Sequence, residues 1–480
     1  MGSNRQRKGS LASSLPRTYN IDMMCLLPIH PRCVFWCLAA LATPTSVIAA
    51  DDAVVTAGTY RGWSCETLGN GAVALQVVPT LGGRIMQFTH MGHDFLWVNA
   101  RLTGVTPPSN GLAPDGGWLN YGGDKLWPAP QGWSSDDEWP GPPDGVLDGS
   151  PYVCERLTDE DGLAGLRLTS RDDPRSGMRL SRTVRLHRSR PQVSFTATMT
   201  NVDTRPRTWS IWSHTQLDGI ASDGRPNERL RAYCPINPRS RFPHGYAVIF
   251  GDVDNPSFQA DAATGLMTVV NRYRVGKIGL DSDAGWVATV DGVSGAVFVQ
   301  RFIYEAGRDY ADGASVEFWL NGVGTFHAYH RDITCPDDTG FNPPVFESEV
   351  LSPRIRLDPG RAYSWSWEWH ATRVAPDEGV VACTVAGVVA KPLRIITAAD
   401  GTVHLRGSFG VFASGRICLT WRDAYGRLTG NITPDLTVRP DRPFLCDLIC
   451  TPPAASRGVT LTLLDHEGTV IGDLASALLP

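Results

Sequence analysis

The chain has 480 residues, 42% hydrophobic and 19% charged, ample material for a sizeable buried core. Its formal charge is −5, and without the first fifty residues it is −9, from 39 basic and 48 acidic side chains. That balance argues against nucleic acid or an anionic membrane surface as partner, while 49 glycines and 35 prolines between short alternating runs point to strands and turns.

At the N-terminus, "CVFWCLAALA" (33–42) has the length and apolarity of a secretory core, and small residues surround Ala49 and Ala50. Residues 1–50 read as a signal peptide, with Met23 or Met24 as alternative starts, and the mature chain is expected to begin near Ala50–Asp52. The core is too short to span a bilayer, so the expected destination is periplasmic or secreted, without membrane insertion after cleavage. Eight cysteines follow: 65, 154, 234 and 335, then 383, 418, 446 and 450. In an oxidising compartment, disulfides within each group of four are expected, with three pairings open to each.

Strand-like runs then recur: "GAVALQVVP" (71–79), "RIMQFTH" (84–90), "MRLSRTVRLHR" (178–188), "QVSFTATMTNV" (192–202) and "TWSIWSHTQL" (208–217). They continue through "GWVATV" (285–290), "AVFVQRFI" (296–303), "ASVEFWLNG" (314–322), "VFESEVLSP" (345–353) and "YSWSWEWHATR" (363–373). Hardly any long window carries a helical period. The predicted fold is all-β, a large antiparallel β-sandwich over residues 51–373. "VAPDEGVVA" (374–382) reads as a linker, and the alternating runs beyond it predict a small accessory β-sandwich domain over 378–480.

Residues 105–150 break the strand rhythm and read as a long functional loop. It holds Trp118, Trp127, Trp133 and Trp139 among Asn, Asp, Lys and Gln side chains, including Asp124, Lys125 and Gln131. Rings that stack on an apolar sugar face, beside groups that hydrogen-bond hydroxyls, suit a carbohydrate. The alternative is a plug of core aromatics. The whole chain has only four lysines (8, 125, 277 and 391) against forty arginines. Lys125 and Lys277 are therefore candidates for positions where a compact ammonium fits and a planar guanidinium does not.

Two strands carry candidate chemistry. In 208–217, period 2 places Ser210, Trp212, His214 and Gln216 on one face. In 345–351, Glu347 and Glu349 share a face opposite Phe346, Ser348 and Val350, and burial with mutual repulsion would lift one carboxyl toward neutrality. Glu368 and His370 form a rival pair, and Asp281 with Asp283 is too sparse for a calcium loop.

These two strands resemble the aldose 1-epimerase (galactose mutarotase) superfamily. Thr200-Asn201, Arg205-Pro206 and the strand 208–217 match the segment leading to that family's catalytic histidine, and "FESEVLSPRIRLDPGRAYSW" is similar to its late glutamate strand. "GGDKLWPAP" and "EVLSP" are typical of an exported branch of that superfamily. The resemblance implies a galactose mutarotase-like supersandwich, with His214 as acid and Glu347 as base. It further implies sugar contacts from Asp124, Lys125, Trp127, Gln131, Trp133, Trp212, Gln216, Lys277, Glu317 and Glu349. Gln216-Leu217 replaces the family's aromatic pair after the histidine, and Asp124-Lys125 stands where the relatives have Asn-Arg.

The expected function is acid/base interconversion of sugar anomers in an exported protein, requiring no cofactor and no metal. The expected partner is a sugar or glycan. A glycan-binding protein without turnover is the first alternative, and a polysaccharide lyase or hydrolase accessory the second. If sugar occupies the cleft, His214 and Glu347 should be about 5–8 Å apart with one ring between them.

Overall fold

A computed structural model describes residues 53–158 and 163–479, which belong to one compact unit. The expected signal segment lies outside the described residues. Among the described residues no helix is long and apolar enough to cross a membrane.

Seven strands build the site and are labelled here in chain order: β1 (Asp124–Ala129), β2 (Arg207–Asp218), β3 (Gly276–Leu280), β4 (Val316–Leu320), β5 (Gly324–Ala328), β6 (Arg331–Cys335) and β7 (Val345–Leu351). A twelve-stranded antiparallel sheet starts at its edge with Val54–Tyr60, Trp63–Gly69, Val73–Val78 and Arg84–His90. It then runs β1, β2, β7, β4, β3 and Ala247–Gly251. A ten-stranded sheet lies against it, with Ala296–Phe302 and Ala362–Arg373 at its centre. The two share one apolar core that includes Ile211, Phe318, Phe346, Phe195, Trp367 and Trp369. This is the predicted large antiparallel β-sandwich.

Alternation decides which residues enter that core. On β2, Ile211, Ser213 and Thr215 face the ten-stranded sheet, while Trp212, His214 and Gln216 face away. Both faces are buried, so a further layer must cover the outer one. The cover is the 105–150 segment with the β5–β6 hairpin, a separate two-stranded ribbon. That segment is not wholly a loop: it contains β1, a central strand buried at all six positions. Its polar "DK" and its Pro128 are poor strand formers in isolation, and tertiary pairing on both sides overrides them.

Gly122 makes the entry to β1 feasible. It sits at φ +90°, and a Cβ there would lie 2.2 Å from the Trp97 carbonyl oxygen. Gly122→Ala is expected to destabilise the protein by about 2–3 kcal/mol. Urea unfolding measures this, and an unchanged midpoint would show that the turn adapts freely.

Among the described residues, neither the twelve-stranded nor the ten-stranded sheet continues past Arg373. Residues 382–478 form a four-stranded and a five-stranded sheet around their own core, which includes Leu405, Phe409 and Trp421. A separate apolar patch joins Val374, Val380 and Phe412 to Trp286 and Val299 of the ten-stranded sheet.

All eight described cysteines are free thiols, which overturns the expected bridges. The sheets hold the sulfurs apart. Cys154 and Cys234 lie seven strands from each other in the ten-stranded sheet, and Cys446 and Cys450 sit four residues apart along one strand. A disulfide needs Cα atoms within about 7 Å, and neighbouring strands alone are nearly 5 Å apart.

Candidate functional site: a His–Glu pair beneath an aromatic-walled cavity

Antiparallel pairing brings distant residues into one row. β2 aligns His214 with Lys125 on one side and Glu349 on the other, and Gln216 with Glu347. β4 aligns Glu317 with Glu349 and Trp319 with Glu347, and β3 aligns Lys277 with Trp319. All these side chains project from the outer face of the twelve-stranded sheet.

Above them is a cavity of about 180 Å³. Its floor is Trp212, His214, Gln216, Lys277 and Glu347, and its walls include Trp118, Trp127, Trp133, Trp319 and Tyr329. Asn120, Gln131 and Asn321 add neutral amides, and Phe250 and Phe326 close the far side. Three of the four loop tryptophans therefore face the cavity. Trp139 is fully buried and donates to Asp144 Oδ2 at 3.0 Å, so it is a core residue.

His214 and Glu347 do converge from neighbouring strands, but the expected gap of one sugar ring is absent. Nε2 of His214 lies 3.1 Å from Glu347 Oε1, and Nδ1 lies 3.5 Å from Glu349 Oε1. The reason is register. Glu349 is directly opposite His214 and Glu347 is the diagonal neighbour, a spacing that long side chains close easily. Neither approach has hydrogen-bond alignment, so both ring nitrogens lack an aligned partner. The imidazole is 4% exposed, with Trp127 lying 4.3 Å over its face and Trp212 meeting it edge-on at 5.1 Å. Gln216 Nε2 donates to Glu347 Oε1 at 2.6 Å.

Beneath this pair is an ionic chain. Lys277 Nζ lies 2.7 Å from Glu317 Oε2 and 3.2 Å from Glu349 Oε2, and it sits 4.3 Å from the centre of the Trp212 ring. Trp212 Nε1 donates to Glu349 Oε2 at 2.9 Å. Glu317 and Glu349 are buried below the cavity and do not line it, so they support the floor and do not contact a ligand directly.

Burial sets the protonation of these groups. It lifts the Glu347 carboxyl above its ordinary value, against the pull of Lys125 and Gln216. It drives His214 well below the usual imidazole range, helped by the nearby Lys125 ammonium. Burial also opposes the charge on Lys277, but Glu317 and Glu349 more than offset it and hold the ammonium charged. Glu317 is raised by burial, since it shares one ammonium with Asp312 and Glu349. Burial thus disfavours the charged form of both members of the His214–Glu347 pair.

Asp124 and Lys125, expected together at the sugar, point opposite ways. Asp124 is fully buried between the sheets, where it pairs with Arg182 and accepts from Thr215 Oγ1 at 2.8 Å. Adjacent residues on a strand cannot share a face, so its role is structural. Lys125 is on the correct face but lies behind the wall, with Nζ 4.9 Å from the Trp127 ring and no hydrogen-bond partner. The rival Glu368 and His370 belong to the ten-stranded sheet, and Asp281 ties a loop by accepting from Ser240 Oγ and the Arg241 amide.

Lys125 also yields a stability prediction. Burial pushes its ammonium down to about 7, so between that pH and the ordinary lysine range the unfolded chain binds more protons than the folded one. Stability linked to this residue therefore rises with pH above 7. Lys125→Met should stabilise the protein by about 1–3 kcal/mol at pH 6–7, with a smaller gain at pH 9.5. Denaturant midpoints at the two pH values measure it, and a loss of stability at pH 6 would refute the burial argument.

The sequence missed Asn120, Phe250, Trp319, Asn321, Phe326 and Tyr329. Trp319 was legible, since it shares parity with Glu317. The others depend on how the β5–β6 hairpin folds over: its tip residue Tyr329 donates to the Pro142 carbonyl at 2.7 Å and packs 4.6 Å from Trp133.

No curated protein matches this chain. Among solved structures it is similar to a TPR-domain containing protein from Parabacteroides distasonis, at 14% identity and TM-score 0.42, covering 67% of this chain and 54% of that one. It is also similar to a galactose mutarotase-like protein from Clostridium acetobutylicum, at 10% identity and TM-score 0.40, covering 67% of this chain and 99% of that one. A galactose mutarotase-like protein from Lactobacillus casei is similar at 12% identity and TM-score 0.32, covering 64% and 99%. A family model described as a domain of unknown function, DUF4380, matches residues 65–372, a span that includes every residue lining the cavity. The chain belongs to the DUF4380 family.

Proposed function

We propose that this protein is an exported carbohydrate-active protein whose cavity binds a sugar ring and whose Glu347–His214 pair interconverts its anomers. The observation that carries the reading is a buried carboxyl group, raised above its ordinary value, on the floor of a cavity walled by tryptophans and backed at 3.1 Å by an imidazole. Aromatic walls stack on the apolar face of a sugar, and the amides of Asn120, Gln131 and Asn321 offer donors and acceptors to its hydroxyls. The resemblance of the two strands to aldose 1-epimerases points to the same chemistry.

The contact between His214 and Glu347 argues for a one-sided mechanism over two groups flanking the ring. A protonated carboxyl is both acid and base. Its O–H gives a proton to the ring oxygen as the bond from that oxygen to C1 breaks. Its other oxygen takes the proton from the C1 hydroxyl as the C1 carbonyl forms. Rotation about C1–C2 and the reverse transfers give the other anomer. His214 packs beside the carboxyl at 3.1 Å, and Gln216, which donates to Glu347 Oε1, keeps it from being stranded as an unpaired buried anion.

Exchange NMR with purified protein and a panel of free aldoses tests this reading. Faster interconversion of α and β anomers for at least one sugar is the expected result. Saturable binding without exchange would leave the glycan-binding alternative. N-terminal sequencing of the exported protein tests the processing site near Ala50–Asp52.

A further inference from the structure

The cavity's charge pattern bears on which sugars it accepts, an inference that rests on the sugar reading above. Among the described residues that line it, Lys277 is the only lysine or arginine. Its ammonium is already committed to Glu317 at 2.7 Å, to Glu349 at 3.2 Å and to the face of Trp212. A phosphate or carboxylate entering here would find no free cation among these residues. The imidazole offers no replacement, since it is enclosed by Trp127 and Trp212 and lies beside the Lys125 and Lys277 ammonium groups, which oppose its protonation.

An adjoining groove that shares Trp133 and Tyr329 with the cavity gives no better reception. The groove beyond Trp133 and Tyr329 holds Arg175, which is bound to Asp144 Oδ2 at 2.9 Å and to the Pro143 carbonyl. His330 in the same groove meets the Trp133 carbonyl at 3.1 Å, and Asp136 and Glu138 add negative charge. The remaining polar groups of the cavity are uncharged amides, and its volume of about 180 Å³ suits one small ring. We propose that the site takes a single neutral pyranose and rejects phosphorylated and uronic sugars.

Calorimetric titration of the full chain with galactose, glucose and mannose, each beside its 6-phosphate and its uronate, tests this. The expected result is at least about 100-fold tighter binding of one neutral hexose than of its charged forms. A charged form that binds as tightly as its neutral parent would overturn the proposal while leaving the sugar reading intact. No binding by any member of the panel would sink the sugar reading itself. A second arm uses Glu317→Gln, which releases one carboxylate from Lys277. It should narrow the discrimination against the 6-phosphate and the uronate about tenfold by making the ammonium available. Unchanged discrimination in a folded Glu317→Gln protein would count against the charge-neutralisation argument.

Discussion

Glu347→Gln is expected to lower anomer exchange by about 10²–10⁴-fold while leaving sugar affinity within a few-fold of the parent. The amide keeps the shape of the carboxyl and can still meet Gln216, but it cannot deliver a proton to the ring oxygen and take another from the C1 hydroxyl. Saturation-transfer NMR on one sample reads both quantities. If rate and affinity fall together, Glu347 holds the sugar and does not act on it. In the parent protein, burial raises the Glu347 carboxyl, so exchange should decline as pH rises through that raised value and the group ionises. The Gln variant's residual rate should show no such decline.

Lys277→Met should cost about 3–5 kcal/mol of stability, the usual consequence of removing one partner from a buried ionic cluster. Methionine fits the volume, but Glu317 and Glu349 then share a dry floor with no cation. Because the remaining acids relieve the strain by taking up protons, the deficit should shrink as pH falls toward 5. Adding Glu317→Gln and Glu349→Gln should recover most of the loss. Guanidinium unfolding of the three proteins decides it. A single variant as stable as the parent at pH 8 would mean that the ammonium contributes nothing net.

Much of this site was legible before any coordinates because a strand has only two faces. Parity alone grouped Trp212, His214 and Gln216, and separately Glu347 and Glu349, and the rarity of lysine singled out Lys277. The same parity rule should have separated Asp124 from Lys125, but the resemblance to a family pair treated them as a unit. What parity cannot give is register. Whether Glu347 is opposite, diagonal or remote from His214 depends on a pairing between segments more than 130 residues apart, so the expected ring-width gap became a direct contact. The burial of Lys125 behind Trp127 and the aromatic residues of the β5–β6 hairpin depend on the covering layer, whose packing is set by tertiary contacts. β1 was hidden for a related reason: its residues form a strand because two neighbours pair with it.

The strand order has a consequence for how the chain acquires its site. The central row is assembled from β1, β2, β7, β4 and β3, drawn from residues 124 to 351, and its key pairing joins Gln216 to Glu347. Contacts of such separation carry a large loop-closure cost and are slow to form. During synthesis, the imidazole strand emerges well over a hundred residues before the carboxylate strand that completes the pair. Until then, the outer face of β2, with Trp212 and His214 exposed, is an unprotected apolar edge open to wrong partners. Ligand binding should therefore appear only with the final, slowest phase of refolding, and no fragment ending before β7 should carry any of it.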